Sequence, residues 1–391
     1  MGLCYIKVVN FMNWIYFNEE HKMLRNMVRD FAINEIKPLA QKIDTEGIFP
    51  HESIKKMAEL GLMGIPWETK YGGNNMDTLS LVIAIEEIGK VCASTAATMM
   101  AHTSLGTAPI AVFGTDEQKQ KYLPGLASGE KIGSFGLTEP NAGSDAGNTQ
   151  TTAVLKGEKY IVNGQKAFCT SAGVASIIIF TAKLVEDGED KGIGAFIVEA
   201  GTDGLSLGEP EKKMGWRGSD TRSVFFENME IPKENILGSP SKGFKQFLNT
   251  LVGGRITIGA LSLGTAQGAY ELALNYSKER EAFGKQINKF QGVSFKLADM
   301  ATSIESAKHL VYHAAWLKDN NQPVIKEAAM AKLVASETAM KICTEAIQVH
   351  GGYGYIKEYD VERFFRDAKI LEIGEGTSEI QRVIISKAIL K

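Results

Sequence analysis

An acidic turn and the helix after it are encoded near the end of the chain by Leu371-Glu372-Ile373-Gly374-Glu375-Gly376-Thr377-Ser378-Glu379-Ile380-Gln381-Arg382. Glu375 lies between two glycines, which permit tight or left-handed backbone angles and leave the acid unshielded by its neighbours. Thr377 or Ser378 can cap the helix. Its apolar positions follow the 3.6-residue period and are Ile380, Val383, Ile384, Ala388 and Leu390. A carboxylate held before a helix, against an apolar wall, gains both direction and a raised pKa, so Glu375 is a candidate general base. The alternative is a solvated acid in a capping turn.

The segments before this turn have the composition and spacing of long helices. Alanine- and leucine-rich segments cover about residues 244–279, 289–319 and 323–350, and the last helix covers 377–390. Four helices with short connections predict an up-and-down bundle. We therefore expect a C-terminal helical bundle domain over residues 239–391.

The middle of the chain is rich in β-strand patterns. Leu155–Thr170 predicts two short strands around the turn Asn163-Gly164, which is a strong hairpin signal. Further β-rich runs, separated by Gly, Asp and Pro, are Ala175–Ala182, Gly192–Ala200 and Thr221–Ile231. These runs predict a compact, barrel-like β-domain over residues 129–238.

Helical patterns return towards the start of the chain. Asn18 is a good N-cap, and Pro38 should kink or end the helix that follows it. The predicted buried face of that helix consists of Met23, Leu24, Met27, Val28, Phe31 and Ala32. Further helices are predicted over His51–Leu60, Thr78–Val91, Ser94–Phe113 and Asp116–Gly125. The expected fold is therefore mainly α with a central β-domain, and its N-terminal helical domain covers residues 18–128.

Composition narrows the class of protein. The 391 residues are too many for one ordinary core, and 44% hydrophobic residues, 23% charged residues and a net charge of -3 are typical of a soluble globular protein. No basic run indicates nucleic acid binding, and no apolar window reaches the length of a membrane span. The four cysteines and six histidines lack metal-ligand spacing, so we expect no metal site and a reducing compartment. Met1–Phe17 is a poor cleaved signal, and we expect an upstream extension or an alternative start.

Two segments at the start of the β-region could bind a flat polar group. One is Phe135-Gly136-Leu137-Thr138-Glu139-Pro140-Asn141-Ala142-Gly143-Ser144-Asp145. Its backbone N–H groups and hydroxyls suit a heterocycle or a phosphate, although any turn or linker has a similar composition. The other is Lys166-Ala167-Phe168-Cys169-Thr170-Ser171. It places an aromatic ring beside a hydroxyl, which suits a ring cofactor but is also common in a β-strand.

Two segments of the helical bundle could bind a nucleotide. One is Arg280-Glu281-Ala282-Phe283-Gly284-Lys285, followed by Gln291. Its two cations bracket an aromatic residue and a glycine, which suits a pyrophosphate and an adenine; the alternative is a solvated loop between helices. The other is Gln348-Val349-His350-Gly351-Gly352-Tyr353-Gly354. Its paired glycines permit close approach of a ligand to the backbone, or only end a helix.

In this order and spacing, these segments resemble one family, the acyl-CoA dehydrogenases, which are flavoenzymes of fatty-acid and amino-acid breakdown. The resemblance extends from about residue 18 to the end of the chain. Its most specific parts are Leu137–Pro140, the stretch from Arg280 to Gln291, Gln348–Gly352 and Glu375–Thr377. It implies the three-domain layout predicted above and an FAD cofactor. It also implies that Glu375 removes the α-proton of an acyl thioester while the β-hydrogen leaves as a hydride to the flavin.

The resemblance implies a role for each remaining candidate residue. The residues expected near the flavin ring are Phe135, Leu137, Thr138, Phe168 and Thr170. Those expected to contact the FAD of the same subunit from the last turn are Thr377 and Glu379. Those expected to bind the FAD of a neighbouring subunit are Arg280, Phe283, Gln291, Gln348, Gly351 and Gly352. Ser144, in the cofactor segment, and Arg255 are expected to contact CoA, and Gly376 lies beside the thioester.

The resemblance also implies a substrate and partners. We expect a short-chain acyl-CoA, close to the butyryl type, to be converted to a trans-2-enoyl-CoA in fatty acid β-oxidation. Electrons would pass to an electron transfer flavoprotein, and the assembly would be a homotetramer in the cytoplasm, or in the mitochondrial matrix if the source is eukaryotic. Val252 stands where many relatives have an acid, so one hydrogen bond to CoA is expected to be missing.

Two glycines and one helix are expected to shape the acyl pocket. Gly374 and Gly254 should leave room beside the reacting carbons, and a helix that carries Met99, Met100 and Leu105 should limit chain length softly. Branched or otherwise substituted acyl-CoA is therefore an alternative substrate. A decarboxylating glutaryl-CoA enzyme is disfavoured because Ser94–Leu105 contains no arginine. Acyl-CoA oxidases are usually longer, desulfinase-like relatives lack the base, and a non-catalytic acyl-CoA-binding flavoprotein remains an alternative.

Overall fold

The computed structural model describes residues 16–390, and the first part of these residues is helical. The helices are α1 (Glu19–Phe31), α2 (Lys37–Glu46), α3 (His51–Glu59), α4 (Thr78–Gly89), α5 (Ala93–Ala101), α6 (Ala108–Phe113) and α7 (Asp116–Ala127). Short 3-10 turns occur at Leu62–Gly64 and Thr69–Tyr71, and π-helical turns at Ala32–Ile36 and His102–Thr107. The predicted helices are confirmed. The expectation for Met1–Phe17 falls almost wholly outside the described residues.

The buried face of α1 differs from the prediction. Met23 and Met27 were expected inside, but they are 71% and 36% exposed. His21 and Arg25 are buried in their place. His21 hydrogen-bonds a carboxylate just before α4 at 2.9 Å, and Arg25 donates to Glu86 at 3.1 Å. Polar side chains can be buried when they have such partners, which apolar periodicity alone does not show.

The two boundary signals predicted in this helix are both present. Asn18 caps α1 by accepting a hydrogen bond from the His21 backbone N–H at 2.9 Å. The π-helical turn Ala32–Ile36 then interrupts the helix, so that Pro38 falls in the first turn of α2. A proline there has no intrahelical hydrogen bond to lose. The chain therefore continues as a helix past Pro38 to Glu46.

The middle of the chain forms a β-sheet. Its strands are β1 (Gly133–Gly136), β2 (Thr152–Lys156), β3 (Lys159–Thr170), β4 (Ile177–Glu186), β5 (Glu189–Glu199), β6 (Leu205–Leu207) and β7 (Thr221–Pro232). The order is β1-β4-β2-β3-β7-β6, and β5 pairs with β4. β1 and β2 run parallel to β4, whereas the other pairs are antiparallel. Two 3-10 turns, Lys233–Asn235 and Pro240–Lys242, follow the sheet.

The hairpin of this sheet is not where the sequence predicted it. The last pair of β2 and β3 is Lys156 opposite Lys159, so the two residues between them form the turn. Asn163 and Gly164 lie inside β3, where the pairing with β7 shifts by a residue. Gly164 has a φ of 138°, and the Asn163 side chain accepts a hydrogen bond from a β7 backbone N–H at 2.8 Å. The prediction was wrong because the extra residue of this bulge lies on β7, opposite Asn163-Gly164, so the Asn-Gly pair lies within a strand and not at a turn.

The last part of the chain is helical again. Its elements are α8 (Gly243–Glu279), β8 (Glu281–Ala282), β9 (Lys285–Gln286), α9 (Gln291–Asp319), α10 (Ile325–His350), α11 (Val361–Ala368) and α12 (Ser378–Ile389). Three 3-10 turns lie between them, at Ile287–Lys289, Gly351–Tyr355 and Lys369–Glu372. The four predicted helices are confirmed, and the short helix α11 was not predicted.

One hydrophobic core joins the first and last parts of the chain. It contains Ile83 of α4, Leu261 of α8 and Ala331 of α10. Helices α4 and α8 approach so closely that a methyl group added at Gly264 would overlap the Glu86 carbonyl oxygen. The structure thus confirms a mainly α fold with a central β-domain. It also gives the turn before α12 a rigid support, because this turn packs against α8 and α10.

Candidate active site

The backbone around Glu375 is held in a left-handed conformation. The φ angle is 54° at Glu375 and 95° at Gly376, and such angles are uncommon for a residue with a side chain. Gln381 of α12 donates from Nε2 to the Glu375 carbonyl at 3.3 Å and to the Gly376 carbonyl at 2.8 Å. Lys332 of α10 donates to the same Gly376 carbonyl at 2.9 Å. Two helices therefore fix this turn from behind.

The Glu375 carboxylate is enclosed. Both of its oxygens are buried and have no hydrogen-bond partner among the described residues. They lie over Gly254 of α8, where an added methyl group would overlap one oxygen and lie 3.3 Å from Leu105. Burial raises the pKa of Glu375 to about 7, and the positive charges of Arg255 and Lys332 oppose this effect. The apolar wall predicted for this acid is present, and the group can exchange a proton near neutral pH.

Arg255 contributes a second charged group on α8. Its side chain is buried, and its Nε has no hydrogen-bond partner among the described residues. Burial lowers the pKa of Arg255, and the nearby Glu375 opposes this effect. Val252, one helical turn earlier, packs against the hydrophobic core and offers no polar group. The buried guanidinium N–H is available to a polar group of a ligand.

Gly254 and Gly374 were both expected to leave space in the site, but only one of them does so. The room left by Gly254 is occupied by the carboxylate of Glu375 itself. A side chain at Gly374, in contrast, would meet only the Ile370 carbonyl oxygen at 3.4 Å and the edge of its side chain. Met99, Met100 and Leu105 are buried, and Leu105 lies next to Gly254. Of the two glycines, only Gly374 has room for a side chain.

The β-domain presents the residues that were predicted near a flavin. Leu137 is buried, and the half-buried members are Phe135, Thr138 and Thr170. Phe135 stacks on Phe247 of α8 with 4.2 Å between the ring centroids. Phe168 is 65% exposed and has a φ of 55°, so its ring projects from β3 into open space. Ser144 lies exposed in the loop between β1 and β2.

A buried ion pair supports this loop. Lys166 of β3 and Glu139 are buried, and their charged atoms are 2.7 Å apart. Lys166 also donates to the Leu137 carbonyl at 3.4 Å, while Glu139 accepts from the backbone N–H groups of Gln150 at 2.6 Å and Thr151 at 3.1 Å. The pair therefore joins both ends of the segment that contains Leu137, Thr138 and Ser144.

Thr377 and Glu379 lie next to the Glu375 turn. Thr377 caps α12, as predicted, by accepting a hydrogen bond from the Ile380 backbone N–H at 3.3 Å. Glu379 is exposed in the first turn of α12. The backbone N–H at this helix start and the Thr377 hydroxyl lower the pKa of Glu379. Both residues face the exterior of the turn, where a ligand could reach them.

A second group of predicted residues lies at the other end of α10. A depression of about 450 Å³ is lined by Tyr276, Arg280, Ile287, Val349, His350, Gly351, Gly352, Tyr353 and Ile356. Phe283 projects beside it from the β8–β9 hairpin and is 95% exposed, whereas Gln291 and Gln348 are exposed outside the lining. His350 and Lys332 are separated by 18 residues of α10, which is about 27 Å along the helix axis. The predicted residues thus form two separate groups on one chain.

Sequence reasoning missed the residues that hold the turn. Lys332 lies in Ala328-Ala329-Met330-Ala331-Lys332-Leu333-Val334-Ala335, where a single lysine interrupts an apolar helix. Gln381 lies one turn into α12, next to the apolar positions Ile380, Val383 and Ile384. A charged or amide side chain in such a setting needs a buried partner, and this signal could have indicated both residues.

Membrane-spanning helices and metal sites are absent from the part of the chain that the structure describes. Between residues 16 and 390 no helix is long and apolar enough to cross a membrane. The same residues contain no group of three or more acidic, histidine or cysteine side chains arranged to hold a metal ion.

Each part of the chain matches a model of one protein family. The acyl-CoA dehydrogenase N-terminal domain matches residues 18–130, the middle domain 134–229 and the C-terminal domain 241–390. A probable acyl-CoA dehydrogenase of Bacillus subtilis is 54% identical over 374 residues, covering 95% of this chain and 98% of that protein. A short-chain-specific acyl-CoA dehydrogenase of Clostridium acetobutylicum is 51% identical over 372 residues, covering 95% of this chain and 98% of that protein.

Solved structures show the same likeness. Butyryl-CoA dehydrogenase of Megasphaera elsdenii has a TM-score of 0.93 and 44% identity, covering 96% of this chain and 99% of that chain. A chain in a study of the electron transferring flavoprotein of Acidaminococcus fermentans has a TM-score of 0.94 and 46% identity, with coverage of 96% and 99%. An acyl-CoA dehydrogenase of Bacillus anthracis complexed with FAD has a TM-score of 0.90 and 36% identity, with coverage of 96% and 67%. The three family matches and the full-length relatives show that this chain belongs to the acyl-CoA dehydrogenase family of oxidoreductases.

Proposed function

We propose that the chain is an FAD-dependent dehydrogenase that converts a short-chain acyl-CoA to a trans-2-enoyl-CoA, with Glu375 as the base. The observation that carries the proposal is the Glu375 carboxylate, which is buried, lacks a partner among the described residues and has a pKa of about 7. The α-proton of a thioester is weakly acidic, so its removal needs a base that is poised near neutral pH and accurately aimed. The held turn at Glu375 meets both requirements.

We assign substrate binding and deprotonation to different residues around Glu375. Glu375 removes the α-proton and keeps it on a carboxyl oxygen. The negative charge that develops on the thioester oxygen needs a hydrogen-bond donor. The Glu375 backbone N–H donates to no backbone acceptor among the described residues, and we assign it to this oxygen, with Gly376 beside the thioester. Arg255 and Ser144 bind the CoA part, for which the unpaired Nε of Arg255 is suited.

The two groups of candidate residues fit the two parts of FAD. The exposed ring of Phe168 offers a surface for stacking, and Gly351 and Gly352 have open space where a side chain would lie. We assign the flavin to Phe135, Leu137, Thr138, Phe168 and Thr170, with Thr377 and Glu379 on the same cofactor. We assign the nucleotide of a neighbouring subunit's FAD to Arg280, Phe283, Gln291, Gln348, Gly351 and Gly352. When bound, FAD supplies the two-electron oxidation that no side chain can perform.

A short acyl group is the substrate that we infer. One relative is named as short-chain specific, and one solved structure is a butyryl-CoA dehydrogenase. Leu105 lies close to the Glu375 carboxylate, and Met99 and Met100 are buried on the helix that precedes Leu105. These side chains close the acyl end of the site. Methionine is flexible, so we expect the limit on chain length to be gradual.

An electron transfer flavoprotein as acceptor and a homotetrameric assembly complete the proposal. The first is supported by the similarity to a chain studied with the electron transferring flavoprotein of Acidaminococcus fermentans. The second is supported by α12, whose apolar positions Val383, Ile389 and Leu390 are 43%, 62% and 82% exposed in the single chain. Large apolar side chains at one end of a molecule often mark a protein interface. The domain limits 18–128, 129–238 and 239–391 belong to the same proposal.

The test is an anaerobic titration of the purified protein with saturated acyl-CoAs. We expect a yellow protein whose flavin absorbance bleaches with butyryl-CoA and bleaches less readily as the chain becomes longer. A non-catalytic acyl-CoA-binding flavoprotein would bind the same thioesters without bleaching, so that result would overturn the proposed activity. Bleaching that is strongest with a long or a branched chain would overturn only the proposed substrate.

A further inference from the structure

Lys332 is a buried cation behind the Glu375 turn. Its side chain is 0% exposed, and its Nζ donates to the Gly376 carbonyl at 2.9 Å. Gln381, also 0% exposed, donates to that carbonyl at 2.8 Å and to the Glu375 carbonyl at 3.3 Å. Two buried donors on two different helices therefore converge on two consecutive carbonyl groups.

These hydrogen bonds fix the direction of the turn. A peptide group is planar, so holding a carbonyl inward also holds the next N–H outward and prevents rotation of the group. The left-handed angle at Glu375 is unfavourable for a residue with a side chain and persists only when its surroundings enforce it. Lys332 and Gln381 are the side chains that enforce it. The direction of the Glu375 carboxylate therefore depends on both.

Lys332 also acts through its charge. The charged groups that face the turn are Arg255 of α8, Lys332 and Glu337 of α10, Glu372 of the preceding 3-10 turn and Glu379 of α12. Burial lowers the pKa of Lys332 to about 8, and Glu375 is the strongest of the groups that oppose this effect. Lys332 is thus mainly cationic at neutral pH. It stabilises the ionised form of Glu375, together with Arg255.

We propose that Lys332 is a positioning residue for Glu375. The Lys332 ammonium group holds the Gly376 carbonyl and places a buried positive charge near the Glu375 carboxylate. The inference rests on the proposed function, in which Glu375 is the base. Lys332 makes two contributions, a hydrogen bond and a positive charge, and the variants described below distinguish them. Loss of the hydrogen bond misdirects the carboxylate at every pH, whereas loss of the charge makes Glu375 harder to ionise and matters most at low pH.

The first experiment measures the rate of flavin reduction by butyryl-CoA between pH 5.5 and 9 in four proteins. Lys332→Met removes both hydrogen bond and charge with little change in length, whereas Gln381→Met removes a hydrogen bond from the same carbonyl without changing the charge. Lys341→Met changes an exposed lysine on the same helix and is the matched control. We expect the acidic limb of the profile to move up by about one pH unit in Lys332→Met. Gln381→Met should lower the rate at all pH values without moving that limb, and Lys341→Met should match the parent.

A second variant covers the case in which Lys332→Met folds poorly. Lys332→Gln keeps an N–H donor but carries no charge, so it should also move the acidic limb upwards. An acidic limb that stays at the parent position in both Lys332 variants would overturn the electrostatic part of the proposal. A normal rate in Lys332→Met above pH 8 and in Gln381→Met would overturn the part that concerns the held carbonyl.

The second experiment needs no catalysis. The difference in Tm between the parent and Glu375→Gln is measured against pH with FAD bound, and then measured again in the Lys332→Met background. The pH at which this difference develops reports the pKa of Glu375, and it should be higher without Lys332. The same pH in both backgrounds would overturn the electrostatic part of the inference even in an active enzyme. A shifted pH in a protein that reduces no flavin would support the inference while the proposed function fails.

Discussion

Glu375 owes its properties to residues that are distant in the sequence. Its carboxylate is enclosed by α8 and the Leu105 region, which raises the pKa to about 7. Replacing Glu375 with Gln keeps the shape of the side chain but removes the base. We expect Glu375→Gln to bind FAD normally and to reduce it more slowly by several orders of magnitude with butyryl-CoA, measured by anaerobic stopped flow. Reduction at near the parental rate would refute Glu375 as the base.

The raised pKa of Glu375 also predicts a pH dependence of stability. The pKa is about 7 in the folded chain against an ordinary value of 4.5, so folding favours the protonated form. The resulting stability is fully present below pH 4.5 and is lost as pH rises through 7, by up to about 3 kcal/mol in the free energy of unfolding. Glu375→Gln cannot ionise. Its Tm should equal the parental Tm at pH 5 and exceed it at pH 8; a constant difference would contradict the raised pKa.

Gly374 is the glycine of the turn that has room for a side chain. A Cβ atom here would meet only the Ile370 carbonyl oxygen at 3.4 Å and the edge of the Ile370 side chain at 4.0 Å, so we expect Gly374→Tyr to be tolerated. We expect the tyrosine variant to disfavour branched substrates, by about 1–3 kcal/mol as for one methyl group in a fitted pocket. The measurement is kcat/KM for butyryl-CoA against isobutyryl- and isovaleryl-CoA in both proteins. If the ratio does not move towards the straight chain, the open space beside Gly374 has no role in selectivity.

At the scale of elements, the ion pair of Glu139 and Lys166 connects β3 to the loop after β1. Both partners are buried, so Lys166→Met leaves a buried carboxylate without its cation. We expect a loss of about 3–5 kcal/mol in the free energy of unfolding, measured with urea, and weaker FAD binding because the loop is released. Lys159→Met is the control on the same strand, because its partner Glu230 and Lys159 itself are exposed. It should cost less than about 1 kcal/mol.

If the buried pair of Lys166 and Glu139 contributed no more than the exposed pair of Lys159 and Glu230, Lys166→Met and Lys159→Met would lower the free energy of unfolding equally. That outcome would mean that water or another side chain compensates Glu139 after the substitution. The FAD affinity of the two variants then distinguishes the cases. Only the loss of Lys166 should affect FAD binding, because only this lysine contacts the Leu137 carbonyl.

At the scale of the whole molecule, the two groups of candidate residues link the cofactor to the assembly. They are about 27 Å apart along α10, and we assign the group around Arg280 to the FAD of another subunit. Anything that binds only the assembled protein stabilises the assembly. We expect Arg280→Ala to lose FAD more readily and to dissociate from tetramers, measured by flavin release and sedimentation. Normal FAD binding, with an apoprotein as tetrameric as the holoprotein, would rule out this link.

Local signals in the sequence were enough to predict most of the secondary structure and the position of the acid. The caps Asn18 and Thr377, the interruption before Pro38 and the periodic helices depend on contacts within a few residues, so they are visible in the sequence itself. The resemblance of four short motifs to one family was confirmed along the chain. The domain limits and the roles of the individual site residues remain predictions.

The tertiary structure decided which side chains are buried and what state the acid is in. The sequence placed a hairpin at Asn163-Gly164 because Asn-Gly favours tight turns, and only the pairing of β3 with β7 shows that these residues lie within a strand, opposite a bulge. Lys332 lies 44 residues from the Gly376 carbonyl to which it donates. The pKa of Glu375 arises in the same way, from helices that meet only after folding. Burial and electrostatics act through space, so a local pattern can indicate an acid but cannot set its pKa.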